Sequence, residues 1–191
     1  TKIYDIRYKD IVTKSHEVHA HISSFGLAPK IHEIKINDKC ITVKLEKINY
    51  NNNNFNTAKL LNKVIELQEV LESFFKTNIK LKADLDDNTK FLFKLIEENL
   101  ITYHKKLNIP ETLISEIKST GNILLQSNGI NHGDLHFGNI LISGDNFFFT
   151  DFESVFHLGV NNIIDFINLS RFMDKTSVYN FIKKQDFKKY I

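Results

Sequence analysis

The chain has 191 residues and a formal net charge of +2, with 42% hydrophobic and 25% charged residues. That length suffices for one sizeable domain or for two small lobes around a cleft. A charge this close to zero, with lysines spread through amphipathic segments, gives no reason to expect nucleic acid or a membrane surface as a partner. The single cysteine, Cys40, excludes an internal disulfide and is typical of a reducing compartment, so we expect a cytoplasmic protein.

Residues 1–49 are predicted to form a small β-rich unit with a strand, a helix and a hairpin in that order. Apolar residues first alternate loosely, which predicts a strand. They then recur at helical spacing after an N-cap at Ser15, and two strand-like runs around a tight turn follow. The predicted elements span residues 1–8, 14–24, 30–36 and 40–48. The polar, low-complexity segment 50–56 predicts a linker to the rest of the chain.

The remainder, residues 57–191, is predicted to be mainly helical. Apolar residues recur at helical spacing in several segments, which indicates helices that pack into a common core. These segments span residues 57–76, 91–103, 110–125, 162–173 and 177–190. Between them, two strand-like runs at 140–142 and 147–150 flank the sequence Ser-Gly-Asp-Asn, which predicts a hairpin.

The most informative stretch begins at His132 and runs through His-Gly-Asp-Leu-His-Phe-Gly-Asn into apolar sequence. Asp134, Asn139 and Asp151 are the residues with the chemistry to act together, because the predicted hairpin brings Asp151 back towards Asn139. A carboxylate and an amide carbonyl form a hard-oxygen site suited to Mg²⁺ bound to phosphates. A separate carboxylate, Asp134, would orient a hydroxyl for phosphoryl transfer, which depends on positioning and charge neutralisation.

His-Gly-Asp-Leu-His-Phe-Gly-Asn-Ile-Leu, with Asp-Phe-Glu downstream, resembles the catalytic and metal-binding motifs of the aminoglycoside phosphotransferase and choline kinase group. This group belongs to the protein-kinase-like superfamily. The resemblance implies that Asp134 is the catalytic base, that Asn139 and Asp151 bind Mg²⁺, and that His132 braces the loop. It also implies that Asp165 is a buried helix residue that hydrogen-bonds the loop backbone.

The fold implied by the resemblance is α+β and two-lobed. It has a truncated, β-rich N-terminal lobe (1–49), a hinge (50–56) and a mainly helical C-terminal lobe (57–191). The implied activity is that of a kinase that uses ATP and Mg²⁺ to phosphorylate a hydroxyl group.

The acceptor is expected to be a small molecule, such as an aminoglycoside-, choline- or sugar-like alcohol. His136 stands where protein kinases have Lys, and small-molecule kinases of this group often have His there. Asp-Phe-Glu in place of Asp-Phe-Gly points the same way. The 40 residues after Asp151 contain no Ala-Pro-Glu segment and leave little room for a peptide-docking subdomain.

A weaker resemblance extends to the N-terminal part and implies a nucleotide site. Glu17 would be the ion-pair partner of a nucleotide-binding Lys, for which Lys2 is the best candidate and Lys9 a rival. The backbone from Glu46 to Ile48 would meet adenine. The alternative is that Lys2 and Glu17 are solvated surface charges. No glycine-rich phosphate loop precedes Lys2, so we expect either a truncated chain or a domain without that lid.

Three other interpretations remain open. A kinase-like binding module is favoured by the missing lid and opposed by the intact Asp134, Asn139 and Asp151. A small atypical protein kinase would be similarly compact and also carry His-Gly-Asp-Leu. A metallophosphoesterase would use His132, Asp134 and His136 as a metal cluster, but the downstream Asn-His pair of that class is missing, and a motif without its context is weak support.

Overall fold

The computed structural model describes residues 1–51, 55–107, 110–112, 115–116, 119, 129–158 and 163–184. This part of the chain is a mixed α and β structure, which agrees with the α+β class predicted from the sequence. The strands are β1 (Lys2–Asp5), β2 (Ile31–Ile36), β3 (Cys40–Leu45), β4 (Ile140–Ser143) and β5 (Asn146–Phe149). The helices are α1 (Lys9–Ser24), α2 (Thr57–Thr77), α3 (Ile79–Leu107), α4 (Val155–Leu158), α5 (Ile163–Leu169) and α6 (Lys175–Lys184).

The three N-terminal strands form an antiparallel sheet in the order β1-β3-β2. In β1, Lys2 lies opposite Val43 and Tyr4 lies opposite Ile41. Because side chains alternate between the two faces of a strand, Lys2 and Tyr4 share the face on which Ile41 and Val43 are buried. That face packs on α1 through Val12. The sheet therefore directs Lys2 inwards.

Helix α1 belongs to two hydrophobic clusters. Val12 joins the small cluster under the sheet, whereas Val18 and Ile22 are fully buried in the larger cluster that α2 and the C-terminal segments form. Each large aliphatic side chain that is fully buried stabilises the fold by about 1.5–3 kcal/mol. Helix α1 thus couples the sheet to the larger core.

Helix α2 supplies the longest continuous stripe of the larger cluster. It begins where the Asn56 side chain accepts a hydrogen bond from the Lys59 backbone N–H at 3.0 Å, an N-cap that satisfies one free donor of the first turn. The stripe repeats every three or four residues and consists of Leu60, Leu61, Val64, Leu67, Leu71, Phe74 and Phe75.

Strands β4 and β5 form the predicted hairpin, with Ile140 opposite Phe149. Gly144 lies in its turn at φ +59°, a backbone conformation that glycine adopts without steric penalty. Two backbone hydrogen bonds attach the hairpin to the N-terminal part. Phe149 N–H donates to the Leu27 carbonyl at 2.7 Å, and Asn51 N–H donates to the Ile142 carbonyl at 2.8 Å.

The first predicted strand is too long, and the first predicted helix begins too late. Strand β1 ends at Asp5, whose carboxylate accepts from the Arg7 backbone N–H at 2.9 Å and starts a short 3₁₀ turn. Helix α1 follows at Lys9, so Ser15 lies inside it and donates its hydroxyl hydrogen bond to the Val12 carbonyl. The predicted N-cap at Ser15 is therefore wrong.

Other boundaries also differ from the prediction. Strand β3 ends at Leu45, three residues before the predicted end, and the predicted helix 91–103 is the later part of the longer α3. The predicted helix at 110–125 lies mostly outside the described residues, as does the end of the predicted helix at 177–190. None of the described helices combines the length and the apolarity that a membrane crossing requires.

Replacing Ile22 by Ala is expected to lower the free energy of unfolding by about 2–5 kcal/mol, because it leaves a cavity where α1 meets the larger core. Urea unfolding followed by circular dichroism measures this loss. Ile79→Ala is the control, since Ile79 is 78% exposed and its truncation should change stability by less than about 0.5 kcal/mol. Equal losses in the two variants would contradict the assignment of α1 to the larger core.

Candidate functional site

The loop before β4 is fixed to the strand that returns beside it. The ring of His132 is fully buried, and its Nε2–H donates to the Thr150 carbonyl at 2.7 Å. Thr150 N–H in turn donates to the Asn139 carbonyl at 3.0 Å. Burial lowers the pKa of His132 and so favours the neutral ring, which donates this bond from Nε2–H. His132 therefore lies under the loop as a brace and does not line the cleft described below.

Asp165 holds the same loop from the helical side. Its buried carboxylate accepts hydrogen bonds from the backbone N–H of His132 at 2.9 Å and of Gly133 at 3.2 Å. The Gln68 side chain donates a third at 3.2 Å. Burial raises the pKa of the Asp165 carboxyl, and the nearby His132 and the three donated hydrogen bonds oppose that rise. The three donated hydrogen bonds thus compensate for the burial of the Asp165 carboxylate.

Gly138 fixes the orientation of the His136 ring. Its backbone N–H donates to His136 Nδ1 at 3.0 Å, so a neutral ring carries its proton on Nε2. A Cβ atom at position 138 would lie 2.7 Å from the ring carbon Cε1, which leaves room only for glycine. His136 Nε2 lies 3.7 Å from the carboxylate of Asp134, whose side chain is 56% exposed. The loop thus presents a carboxylate and a ring N–H side by side.

Asn139 is buried, and its amide is fixed in one direction. Its Nδ2 donates to the Asp134 carbonyl at 2.9 Å, and its backbone N–H donates to the His136 carbonyl at 2.9 Å. Because the amide nitrogen is used in the loop, the opposite end of the amide, the oxygen Oδ1, is left for a ligand. The loop therefore offers a carbonyl oxygen of fixed orientation.

Asp151 has a left-handed backbone conformation, with φ 66° and ψ 58°. Among the described residues it is the one non-glycine residue with positive φ, and that conformation is unfavourable by roughly 1–3 kcal/mol. Its carboxylate forms an ion pair with Lys2 Nζ, and both side chains are partly exposed. The unfavourable backbone geometry turns the carboxylate towards β1 and the loop.

The loop residues and Asp151 line one cleft, with a volume of about 560 Å³, that lies between β1 and the loop. Five of the residues predicted for the site line it, namely Lys2, Asp134, His136, Asn139 and Asp151. The cleft is also lined by Ile3, Tyr4, Glu153 and Ser154. Residues that are far apart in the sequence thus converge on a single space.

The donor set of this cleft fits Mg²⁺ better than a transition metal. Asn139 and Asp151 provide hard oxygen donors, and Mg²⁺ is commonly held by one or two carboxylates together with substrate phosphates. The described residues contain no group of three or more His, Cys, Asp or Glu side chains arranged to hold a metal ion. Asn139 and Asp151 are thus two residues of this cleft that could contribute oxygen ligands to a cation.

The other predicted nucleotide residues lie elsewhere. Glu17 is exposed, and within the described residues it makes no ion pair with Lys2. Helix α1 turns Ser15, His16 and His19 towards the sheet. Successive residues of a helix lie about 100° apart around its axis, so Glu17, next to His16, points away from the sheet. Lys9, the rival of Lys2, is exposed at the start of α1.

The predicted hinge begins where the sheet ends. Glu46 closes the end of β2 and β3, since its carboxylate accepts from the Lys30 backbone N–H at 3.1 Å and its own N–H donates to the Lys30 carbonyl at 2.7 Å. Ile48 is half-buried, and its backbone N–H has no hydrogen-bond partner in the described part of the chain. The Ile48 backbone is thus available to a ligand, whereas the Glu46 backbone N–H is occupied.

Sequence patterns did not reveal the residues that hold the Asp-Phe-Glu segment. His19 Nε2–H donates to the Pro29 carbonyl at 2.7 Å, and its ring meets the buried ring of Phe152 edge-on at 5.3 Å. Burial lowers the pKa of His19 to about 4. Tyr4 and Glu153 line the same narrow space, and burial together with the Glu153 carboxylate raises the pKa of Tyr4. The signal available in the sequence was the position of Tyr4, two residues from Lys2 on the same strand face.

Comparisons of the chain with known protein families, with curated proteins and with solved structures found no match.

Replacing Asp165 by Asn is expected to lower the free energy of unfolding by about 1–3 kcal/mol, because an amide NH₂ would then face a backbone N–H or the Gln68 amide. The loss is measured by urea unfolding. Asp145→Asn is the matched control, since Asp145 is 87% exposed and pairs only with Lys59 among the described residues. Equal stability of the two variants would contradict the bracing role of Asp165.

The pKa of His19 predicts a dependence of stability on pH. The ordinary pKa is 6.5 and the folded value is about 4, so between these pH values the unfolded chain binds a proton that the folded chain does not. The free energy of unfolding should therefore fall as the pH drops from 6.5 to 4, with a slope of up to about 1.4 kcal/mol per pH unit.

His19→Gln should remove this part of the slope, because Gln keeps an N–H donor for the Pro29 carbonyl and does not titrate. The control is His32→Gln, which replaces an exposed histidine and should leave the slope unchanged. Denaturant unfolding at several pH values measures it. The same slope in wild type and His19→Gln would show that His19 is not the source.

Proposed function

We propose that the protein is an ATP- and Mg²⁺-dependent phosphotransferase that phosphorylates a hydroxyl group of a small molecule. The observation that carries the proposal is the convergence of Lys2, Asp134, Asn139 and Asp151 on one cleft. Phosphoryl transfer needs positioned groups that neutralise charge and orient the nucleophile, and it needs little covalent chemistry from the protein. The four side chains match those requirements.

The proposal includes a protein-kinase-like fold with two lobes. In support, a three-stranded sheet with one packed helix precedes a mainly helical part, and the cleft lies where the sheet faces the β4–β5 hairpin. The segment between β3 and α2 would form the hinge. Adenine would meet this segment at the backbone of Ile48, whose N–H is available.

In the proposed reaction Asp134 orients the acceptor hydroxyl and takes its proton. The hydroxyl oxygen forms a bond to the γ-phosphorus of ATP while the bond to the β,γ-bridging oxygen breaks, so that ADP leaves. Asn139 Oδ1 and the Asp151 carboxylate would hold Mg²⁺, which supplies neutralisation of the phosphate charge. Lys2 contributes a further positive charge beside the phosphates.

His136 is proposed to act next to Asp134. With Nδ1 engaged by the Gly138 N–H, its Nε2–H is directed towards the Asp134 carboxylate and the cleft. In that position it can donate a hydrogen bond to a phosphate oxygen and restrain the carboxylate. The ring of Phe172, which is 57% exposed, lies 6.3 Å from the His136 ring and offers an apolar surface to a small acceptor.

A second candidate is a kinase-like binding module without turnover. One observation favours it: Lys2 pairs with Asp151 itself, so a cation must compete with an existing ion pair for the same carboxylate. Binding of Mg²⁺ and nucleotide, followed by a search for turnover, separates the two candidates.

Asp134→Asn is expected to reduce turnover by about 10²–10⁴-fold and to leave Mg-ATP binding within about twofold, because the base acts on the acceptor. Asp151→Asn should weaken Mg-ATP binding itself, since it removes a metal ligand. Thermal shift with and without Mg²⁺ measures binding. A coupled assay of ADP release with amino-alcohols, sugars and aminoglycosides measures turnover.

Asp145→Asn, an exposed change of the same chemistry, is the control and should alter neither quantity. Unchanged turnover in Asp134→Asn would overturn the assignment of the base. If the wild type binds no nucleotide in the presence of Mg²⁺, the phosphotransferase proposal fails. Binding of Mg-ATP without turnover on any acceptor would favour the binding module.

A further inference from the structure

Strand β2 leaves one of its two edges free. The N-terminal sheet has the order β1-β3-β2, so β2 pairs with β3 on one side only. Apart from that pairing, the backbone groups of Ile34 and Ile36 form no hydrogen bond with any other residue that the structure describes. A free strand edge carries unpaired N–H and C=O groups on which another strand can pair.

The hydrogen bonds of the β2–β3 hairpin determine which residues face this free edge. Asn37 N–H donates to the Cys40 carbonyl at 3.1 Å beside the turn. In an antiparallel pair, residues whose backbone groups are directed at the partner strand alternate with residues whose groups point away from it. Counting back from Asn37, Lys35 therefore faces β3, whereas Ile34 and Ile36 direct their N–H and C=O groups to the free edge.

The side chains of Ile34 and Ile36 lie on the inner face of the sheet, yet they are incompletely covered. Ile34 lies opposite Val43 and Ile36 lies opposite Ile41, and residues directly opposite each other share a face. Val43 and Ile41 are 0% and 1% exposed, whereas Ile34 and Ile36 are 45% and 49% exposed. Strand β2 thus presents apolar surface beside its unpaired backbone.

The outer face of β2 carries one negative and one positive charge. Glu33 and Lys35 form an exposed ion pair at 3.0 Å within the strand. Residues 33–36 include no proline, bulge or inward-pointing charge that would prevent pairing. A lysine at a strand edge opposes pairing with another strand unless it meets a negative charge there.

A second copy of β2 supplies that negative charge in the required place. When two β2 strands run antiparallel about a twofold axis at Ile34, Glu33 of each copy lies opposite Lys35 of the other. At these positions opposite side chains approach most closely, and opposite charges stabilise the pairing. Moving the axis by one residue to Lys35 would place that lysine opposite itself, which is unfavourable. The charge pattern therefore selects one partner and one register.

We propose that the free edge of β2 is a self-association surface, on which two copies of the chain join their sheets into one of six strands. The Ile34 N–H of each copy donates to the Ile34 carbonyl of the other, and two Glu33–Lys35 pairs flank this centre. The interface is isologous, as a twofold dimer requires. The bulge between Ile31 and Glu33 ends the regular edge, so the shared area is small and the dissociation constant is expected in the micromolar range. The proposal is independent of the proposed function.

Sedimentation equilibrium of the full chain provides the first test. The weight-average mass of the wild type should rise from one chain towards two as the concentration increases. Glu33→Lys and Lys35→Glu each place like charges opposite each other, so each should raise the dissociation constant about tenfold or more. A wild type that stays monomeric up to about 1 mM overturns the proposal.

Mixing the two single variants tests the register. In a mixed dimer both cross-strand pairs are again of opposite charge, although within each strand positions 33 and 35 still repel, so the mixture should dimerise about as tightly as the wild type. The matched control is a mixture of Glu69→Lys and Lys80→Glu, which makes the same changes of charge at exposed helical positions. A mixture of the strand variants that associates no better than each variant alone contradicts the register, as does equal enhancement in the control mixture.

Amide hydrogen exchange of the wild type tests the edge without any substitution. Exchange at Ile34 should slow several-fold between a dilute and a concentrated sample, because its N–H becomes hydrogen-bonded in the dimer. Exchange at Lys35, whose N–H already faces β3, should change much less. Association that leaves the exchange rate of Ile34 unchanged would place the interface on another surface and overturn the proposal.

Discussion

The candidate site depends on one buried carboxylate. Asp165 receives hydrogen bonds from the backbone of His132 and Gly133 and from Gln68 of α2, so it joins α5, the loop and α2. An unpaired buried carboxylate would be strongly unfavourable, whereas this one is surrounded by donors. Because the loop backbone is one of its donors, the position of Asp134 is set by the packing of the helical core.

The packing of α1 positions the other side of the cleft, which β1 forms. Lys2 lies on a strand at the start of the chain, and it reaches Asp151 because α1 packs against both the sheet and the larger core. The left-handed backbone conformation of Asp151 turns its carboxylate towards this strand, where it pairs with Lys2. The chemistry of the cleft thus depends on α1, although the catalytic groups proposed here lie on other segments.

The sequence predicted the parts of the site that local signals encode. The turn around Gly144 and the alternating apolar runs were enough to place the hairpin, and the spacing of Asp134, Asn139 and Asp151 was enough to predict that they converge. These predictions depended on short-range geometry, in which a tight turn brings two neighbouring strands together.

The sequence did not predict the features that depend on helical phase or on distant contacts. The side chain of Asp5 ends β1 and caps a short 3₁₀ turn, after which α1 begins at Lys9, earlier than the hydrophobic pattern suggests. The packing of α1 turns Ser15, His16 and His19 towards the sheet. Glu17 consequently points to solvent. Tyr4 and Glu153 line the same cleft only because the whole fold brings distant segments together, and no periodicity in the sequence records such a proximity. The helix predicted at 110–125 lies mostly outside the described residues.

The two hydrogen bonds that attach the hairpin to the N-terminal part have a mechanical consequence. Phe149 binds the Leu27 carbonyl and Asn51 binds the Ile142 carbonyl, so the segments that flank the small sheet are tethered at two separate points. Because α1 is also packed into both hydrophobic clusters, the two tethers reinforce a packed junction and hold the hairpin that leads to Asp151 against the N-terminal part.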